Sequence, residues 1–138
     1  MINPRELRIG NIIWESNSFT PMPDDFEEIV VGAIDATNGV IRDDQENGYS
    51  YEMLYGILLT PEWLERCGYM KYVGNTGQEI YKPPVGSMAL YKLAGSKDWI
   101  IGANDFSGGY LNLCTISYLH QLQNLYFALT DEELKIKH

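Results

Sequence analysis

The chain has 138 residues, 45% of them hydrophobic, and a formal net charge of −9. That length closes one core and is too short for two ordinary independent ones. The charge disfavours direct nucleic-acid binding, whose affinity comes mainly from Lys and Arg displacing counterions, and the longest apolar runs, such as that around Leu54 to Leu59, fall short of the roughly twenty residues a membrane helix needs.

The N-terminus, "MINPRELRIG", lacks the apolar core of a signal peptide, so a soluble, cytoplasmic protein without membrane attachment is expected. The same segment predicts a one-turn helix, with Asn3 capping and Pro4 at its first position, and then a strand from Arg8 to Trp14. "SNSFTPMPDD" is a proline-punctuated loop. "FEEIVVGAID" has strand composition, and Asn38-Gly39 after it is a hairpin signal because both residues tolerate positive φ. Past the acidic "DDQENG", "YSYEMLYGILL" predicts a strand with Tyr49, Tyr51, Met53 and Tyr55 on one face and Glu52 and Leu54 on the other. Residues 1 to 59 thus form an antiparallel meander, strongly bent towards a small open barrel.

"LTPEWLERCGY" changes the pattern. Thr60 is a suitable N-cap, Pro61 suits the first helical position, Glu62 complements the positive helix end, and Gly68 can end the helix in the left-handed conformation. A two-turn helix over Thr60 to Cys67 is predicted, with Trp63, Leu64 and Cys67 on one arc plugging an end of the first sheet. The runs "YMKYV", "EIYK", "SMALYKLA", "WIIGA" and "YLNLCTI", separated by the turn segments "GNTGQ", "PPVG", "GSKD" and "NDFSGG", predict a second antiparallel meander.

At the C-terminus, Tyr118, Leu119, Leu122, Leu125, Tyr126 and Leu129 fall on one helical arc of about 120°, the pattern of a helix docked on a core. Ser117 can cap its start. Thr130 and Glu133 make a capping-box pattern for a brief second helix, "DEEL". The opposite arc holds His120, Gln121, Gln123, Asn124 and Phe127. An aromatic among uncharged polar groups is a plausible contact surface, since such groups are desolvated more cheaply than charges. The competing reading packs Phe127 under a loop of the second meander, with His120 and Asn124 hydrogen-bonding there.

Three stretches, "ELRIGN", "LTPEWLERCGY" and "YLHQLQNLYFALTDEEL", resemble in order the patterns "LRIGN", "LTEEWLxxFGF" and "VHQLQNLYFALTGEEL" of a family of small uncharacterised proteins of Bacteroidetes bacteria and their phages or mobile elements. The chain departs from these patterns at Pro61, Cys67 and Asp131, and the hairpin around Asn38 is an elaboration. The resemblance implies a mobile-element origin and carries no catalytic residue.

Tests for chemistry give little. Cys67 and Cys114 lie in apolar contexts with no Cys or His at ligand spacing, so they are expected as free buried thiols rather than a disulfide or zinc site. His120 and His138 are the only histidines, and nothing local activates either thiol for a Cys–His pair. "DDQENG" begins like a calcium loop, with Asp43, Asn47 and Gly48 in place, but Gln45 and Leu54 fill ligand positions and the motif fails. "GANDFSGG" lacks the Lys and Ser/Thr of a phosphate loop. Ten tyrosines and three tryptophans could form a stacking platform, though strand spacing places most of them in the core.

The expectation is therefore a single α+β domain of two antiparallel β meanders, a short central helix and a C-terminal amphipathic helix, with an N-terminal β lobe over about 1–59 and a second lobe over about 60–138. No catalytic, metal or cofactor site is assigned. The expected function is that of a non-enzymatic interaction or accessory protein that binds a protein partner or a second copy of the chain through His120, Gln123, Asn124 and Phe127. Two other readings stand beside it. The acidic groups Asp24, Asp25, Glu27 and Glu28, then Asp43, Asp44 and Glu46, then Asp131, Glu132 and Glu133 could make a DNA mimic that occupies a host DNA-binding protein. An aromatic cleft between the meanders could serve a small-ligand-binding protein or enzyme.

Overall fold

A computed structural model of the chain describes residues 2–16, 25–73, 79–84, 88–92, 97–104 and 110–137. The expectations for the proline-punctuated loop, for the turns at "GNTGQ", "PPVG", "GSKD" and "NDFSGG", and for Asp24 and His138 lie wholly or partly outside these residues. The architecture is α+β, with two five-stranded antiparallel sheets. Its contacts divide it into two compact units, Met1–Ile57 with Tyr118–Asn124, and Leu58–Ser117 with Leu125–His138.

The first unit opens with a 3-10 turn, Pro4–Glu6, capped as predicted by Asn3, whose Oδ1 accepts from Arg5 N at 3.1 Å. The strand predicted from Arg8 starts later, as β1 (Ile12–Glu15), because Arg8 to Asn11 closes a turn: Asn11 N donates to Arg8 O at 3.0 Å, and Asn11 Oδ1 accepts from Arg8 N at 2.7 Å. Next come β2 (Glu27–Asp35), β3 (Val40–Asp43), β4 (Gly48–Ser50) and β5 (Leu54–Tyr55), in the spatial order β4-β3-β2-β1-β5. The single strand expected over 49–59 is broken by a second 3-10 turn, Tyr51–Met53, so its tyrosines do not share one face. The Asn38-Gly39 hairpin is present, but only Gly39 has positive φ. Asn38 is held instead by Asp35, whose carboxylate accepts from its backbone N at 3.1 Å and its side-chain amide at 2.8 Å.

The strand order forces curvature. Ser50 and Leu54 are four residues apart, a reach of about 14 Å, yet they belong to strands on opposite edges of the sheet, which in a flat sheet would lie about 19 Å apart. The sheet curls but stays open, since β4 and β5 do not pair with each other. β2 makes the bend by pairing β1 through its first half and β3 through its second, with a register shift between Val31 and Ala33. Gly32 sits at that shift, where a Cβ would lie 2.6 Å from the Asp43 carbonyl oxygen. Inside the curl lie Ile2, Leu7, Ile13, Ile29, Val31, Ile41 and Leu54, edged by Tyr49 and Tyr51.

One carboxylate in this sheet is misplaced energetically. Glu15 is 4% exposed, faces Glu27 across the β1–β2 ladder, and its Oε2 has no hydrogen-bond partner among the described residues. Burial, and then the Glu27 carboxylate, raise its pKa. The folded state therefore holds this proton more tightly than the unfolded chain, so its contribution to stability declines as pH rises from about 4.5 through the raised folded value. Glu15→Gln is expected to stabilise the protein by about 1 kcal/mol at neutral pH and to flatten that slope, as read from denaturant midpoints at pH 4.5 and 7.5.

The second unit begins with α1 (Pro61–Arg66), where the predicted devices are all in place. Thr60 Oγ1 accepts from Trp63 N at 3.3 Å, Gly68 takes φ +83°, and Trp63, Leu64 and Cys67 are buried. This helix clusters with the second unit, which corrects the expectation that it plugs the first sheet. The strands β6 (Met70–Val73), β7 (Glu79–Lys82), β8 (Met88–Lys92), β9 (Trp99–Asn104) and β10 (Tyr110–Ile116) pair in sequence order as a plain meander. Tyr81, Leu90 and Ile101 stand in register on its buried face. Trp99 is buried with them, packs edge-on against Tyr81 and donates from Nε1 to Leu59 O at 3.1 Å.

The C-terminal helix α2 (Leu119–Thr130) is shared, residues 118–124 clustering with the first unit and 125–130 with the second, rather than wholly with the second lobe as expected. At its start the Ser117 hydroxyl bonds Asp98. Gln121 Oε1 reaches back to the first turn and accepts from Tyr118 N at 3.1 Å. The expected "DEEL" helix is absent. Asp131 takes φ +59°, which ends α2, and the Thr130 hydroxyl donates back to Tyr126 O at 2.7 Å.

Candidate functional site

Of the residues expected to meet a partner, His120, Gln123 and Asn124 belong to the first unit and Phe127 to the second. His120 and Gln123 are buried, Asn124 and Phe127 half-buried. Gln123 replaces a missing strand: its Oε1 accepts from Ile12 N at 2.8 Å and its Nε2 donates to Gly10 O at 3.1 Å. Asn124 Oδ1 accepts from Asn11 Nδ2 at 2.8 Å and from Arg8 Nε at 3.2 Å, while its Nδ2 donates to Glu6 O at 2.7 Å. His120 Nε2 lies 3.1 Å from Glu6 Oε2. The "ELRIGN" and "HQLQN" stretches are therefore two halves of one hydrogen-bonded lock. The expectation of an outward polar arc is corrected accordingly: backbone groups of residues 6 to 12, left without ladder partners by the turn at Arg8 to Asn11, are what these amides satisfy. On the apolar arc Leu119, Leu122 and Tyr126 are buried as expected, whereas Leu129 is exposed.

Burial perturbs His120. It is 0% exposed, its ring stacks on Tyr118 at 5.7 Å and 16°, and its Nδ1 has no partner among the described residues. Burial lowers its pKa, and the Glu6 carboxylate only partly offsets this. The neutral ring therefore donates from Nε2 to Glu6. A depressed histidine contributes stability that is full above the unfolded value of about 6.5 and is lost as pH falls from there through the lowered folded value. Thermal midpoints measured at pH 7.5 and 5.5 are expected to differ, with the lower one in acid, and His120→Gln is expected to remove that part of the difference.

Below Glu6 and His120 lies a cleft of about 280 Å³, lined by Ile2, Asn3, Glu6, Tyr55, Gly56, Tyr118, His120 and Gln121. Gly56 permits its back wall, since a Cβ there would come within 2.7 Å of the Tyr118 ring and 3.2 Å of His120 Cε1.

No family model, characterised protein or solved structure matches this chain.

The remaining sequence candidates sort by burial. Cys67 is buried, and its thiol is pushed up to about 12 by burial, with Arg66 opposing, so it is no nucleophile at neutral pH. Cys114 is exposed, contrary to expectation; the register shift between Asn112 and Cys114 breaks the alternation that would have turned it inward. Among the described residues no three His, Cys, Asp or Glu side chains gather as a metal site would need. The acidic tip is not a free display of charge. Asp43 Oδ1 accepts from Gln45 N and Asn47 N, and Oδ2 from Asn47 Nδ2 and Tyr49 OH. Burial pushes its pKa up, but these bonds outweigh that and hold it below the usual value.

Sequence patterning missed a surface on the second sheet. β6 is an edge strand, exposed along its whole length, with Met70 64%, Tyr72 45% and Val73 66% exposed. Tyr72 stands in register with Ile80, Ile80 with Tyr91, and Tyr91 with Ile100, the last three half-buried. These four side chains cross β6 to β9 as one apolar band on the face opposite Tyr81, Leu90 and Ile101. The signal available in sequence was the alternation in "MKYV" and "EIYK", once the two runs are aligned. None of the described helices is long and apolar enough to cross a membrane.

Proposed function

We infer that the protein is a cytosolic, non-enzymatic interaction protein, of phage or mobile-element origin as the resemblance of its three motifs implies. Its contact surface is the edge and outer face of the second sheet. The observation that carries this reading is the exposed β6 strand continuing into the band Tyr72, Ile80, Tyr91, Ile100. Exposed apolar side chains on an unpaired edge fit an extended segment of another protein, which gains main-chain hydrogen bonds from β6 and packs alternate side chains on the band. Lys82, 4.4 Å above the Tyr72 ring, borders the band, and Lys71, paired with Glu79 at 2.9 Å on the opposite face, adds a charge to the edge that guards it against unspecific pairing. The DNA-mimic reading is less well supported, because Asp43 and Asp35 spend their carboxylates on their own turns.

A photo-crosslinking residue placed at position 72 in native-host cells is expected to trap one partner, and the same residue at exposed position 44 to trap none of it. An adduct of twice the chain mass would identify the partner as a second copy. Absence of any adduct from position 72, or the same adducts from both positions, would overturn the reading.

A further inference from the structure

We propose that the cleft of the first unit binds a planar nitrogen heterocycle or arylamidine that presents paired N–H donors to the Glu6 carboxylate. This site is separate from the sheet surface and does not depend on it. Among the described residues its lining holds one charged side chain, Glu6, which is 44% exposed at its side chain and fixed from behind by the wholly buried His120 at 3.1 Å. A carboxylate has about four lone-pair directions, so accepting one bond from His120 leaves room for a fork of two parallel N–H groups. Tyr55 and Tyr118 supply flat apolar walls, to which an aromatic ligand adds stacking or edge contact. The volume, about 280 Å³, is at the small end of the range for ligand sites and suits a one- or two-ring molecule.

The same features exclude anions. Among the described residues no Lys or Arg lines the cleft, and the first N–H groups at the start of α2 are already taken, that of Tyr118 by Gln121 Oε1 and that of Leu119 by Ile57 O. Phosphates and carboxylates would therefore meet Glu6 without compensation. His120 acts as a positioning residue: the neutral ring can donate only through Nε2 while Nδ1 stays bare, which fixes both the tautomer and the carboxylate.

The probe is 2-aminobenzimidazole, compared with the isosteric 2-methylbenzimidazole, which lacks the paired donors, in NMR titrations of the full chain. The amino compound is expected to shift the amides of Ile2, Gly56 and Gln121 and to bind at least tenfold more tightly than the methyl compound. Glu6→Gln, which keeps an oxygen for His120 and is first checked for an unchanged melt, is expected to erase that difference. Equal affinity of the two compounds for the wild type, shifts centred elsewhere, no binding at millimolar probe, or an undiminished preference in Glu6→Gln would each overturn the proposal.

Discussion

Gln123→Ala is expected to destabilise the protein by about 3 kcal/mol, because the Ile12 N–H and the Gly10 carbonyl it serves would be left buried and unpaired. An exposed glutamine costs a few tenths when truncated, so equilibrium denaturation separates the two situations plainly. Gln121→Ala, which removes the cap on Tyr118 N, is expected to cost about 1 kcal/mol, the worth of a helix cap. Gln123→Glu should be at least as damaging as the alanine variant, since it puts an oxygen where Nε2 now donates to Gly10 O.

Gly32→Ala is expected to have an effect of similar size for a different reason. The added methyl would meet Asp43 O at 2.6 Å, Asp43 C at 2.9 Å and Asp44 N at 3.1 Å, all backbone atoms. That stretch cannot retreat, because Asp43 is fixed by Gln45, Asn47 and Tyr49. A cost of about 3 kcal/mol follows, at the upper end for overpacking. Gly48→Ala is the control: its nearest contact would be Val40 Cγ1 at 3.4 Å, and a change within about 0.5 kcal/mol is expected.

How far the sequence carried depends on the range of the interaction concerned. The Thr60-Pro61-Glu62 cap and the Gly68 stop are local chemistry, and α1 follows from them residue for residue. The five strands of the second sheet were legible because turn residues separate short β-branched and aromatic runs, and neighbours in sequence became neighbours in space. The first sheet was legible in composition only. The 3-10 turn at Tyr51 to Met53 and the pairing of β5 with β1 depend on the curl, and no two-residue period reports that.

The leucine arc of α2 was largely right, and the inference from its polar arc was not. A helical wheel states which residues share a face but not what faces them, and Gln123 and Asn124 look like solvated residues until the turn at Arg8 to Asn11 supplies them with backbone partners. One clue was present. From Tyr118 to Thr130 there is no Asp, Glu, Lys or Arg, whereas a solvated helix face ordinarily carries charges. The left-handed end of α2 was not legible, because Asp131 at φ +59° stands where a glycine would have signalled it.

The polar face of α2 binds the chain's own N-terminal segment, and a double-mutant cycle on Asn11 and Asn124 tests this most directly. Their side chains meet at 2.8 Å although 113 residues separate them in sequence. The lock predicts that Asn11→Ala and Asn124→Ala are coupled by about 1 kcal/mol or more in denaturant unfolding, whereas losses that add to within about 0.3 kcal/mol would contradict it.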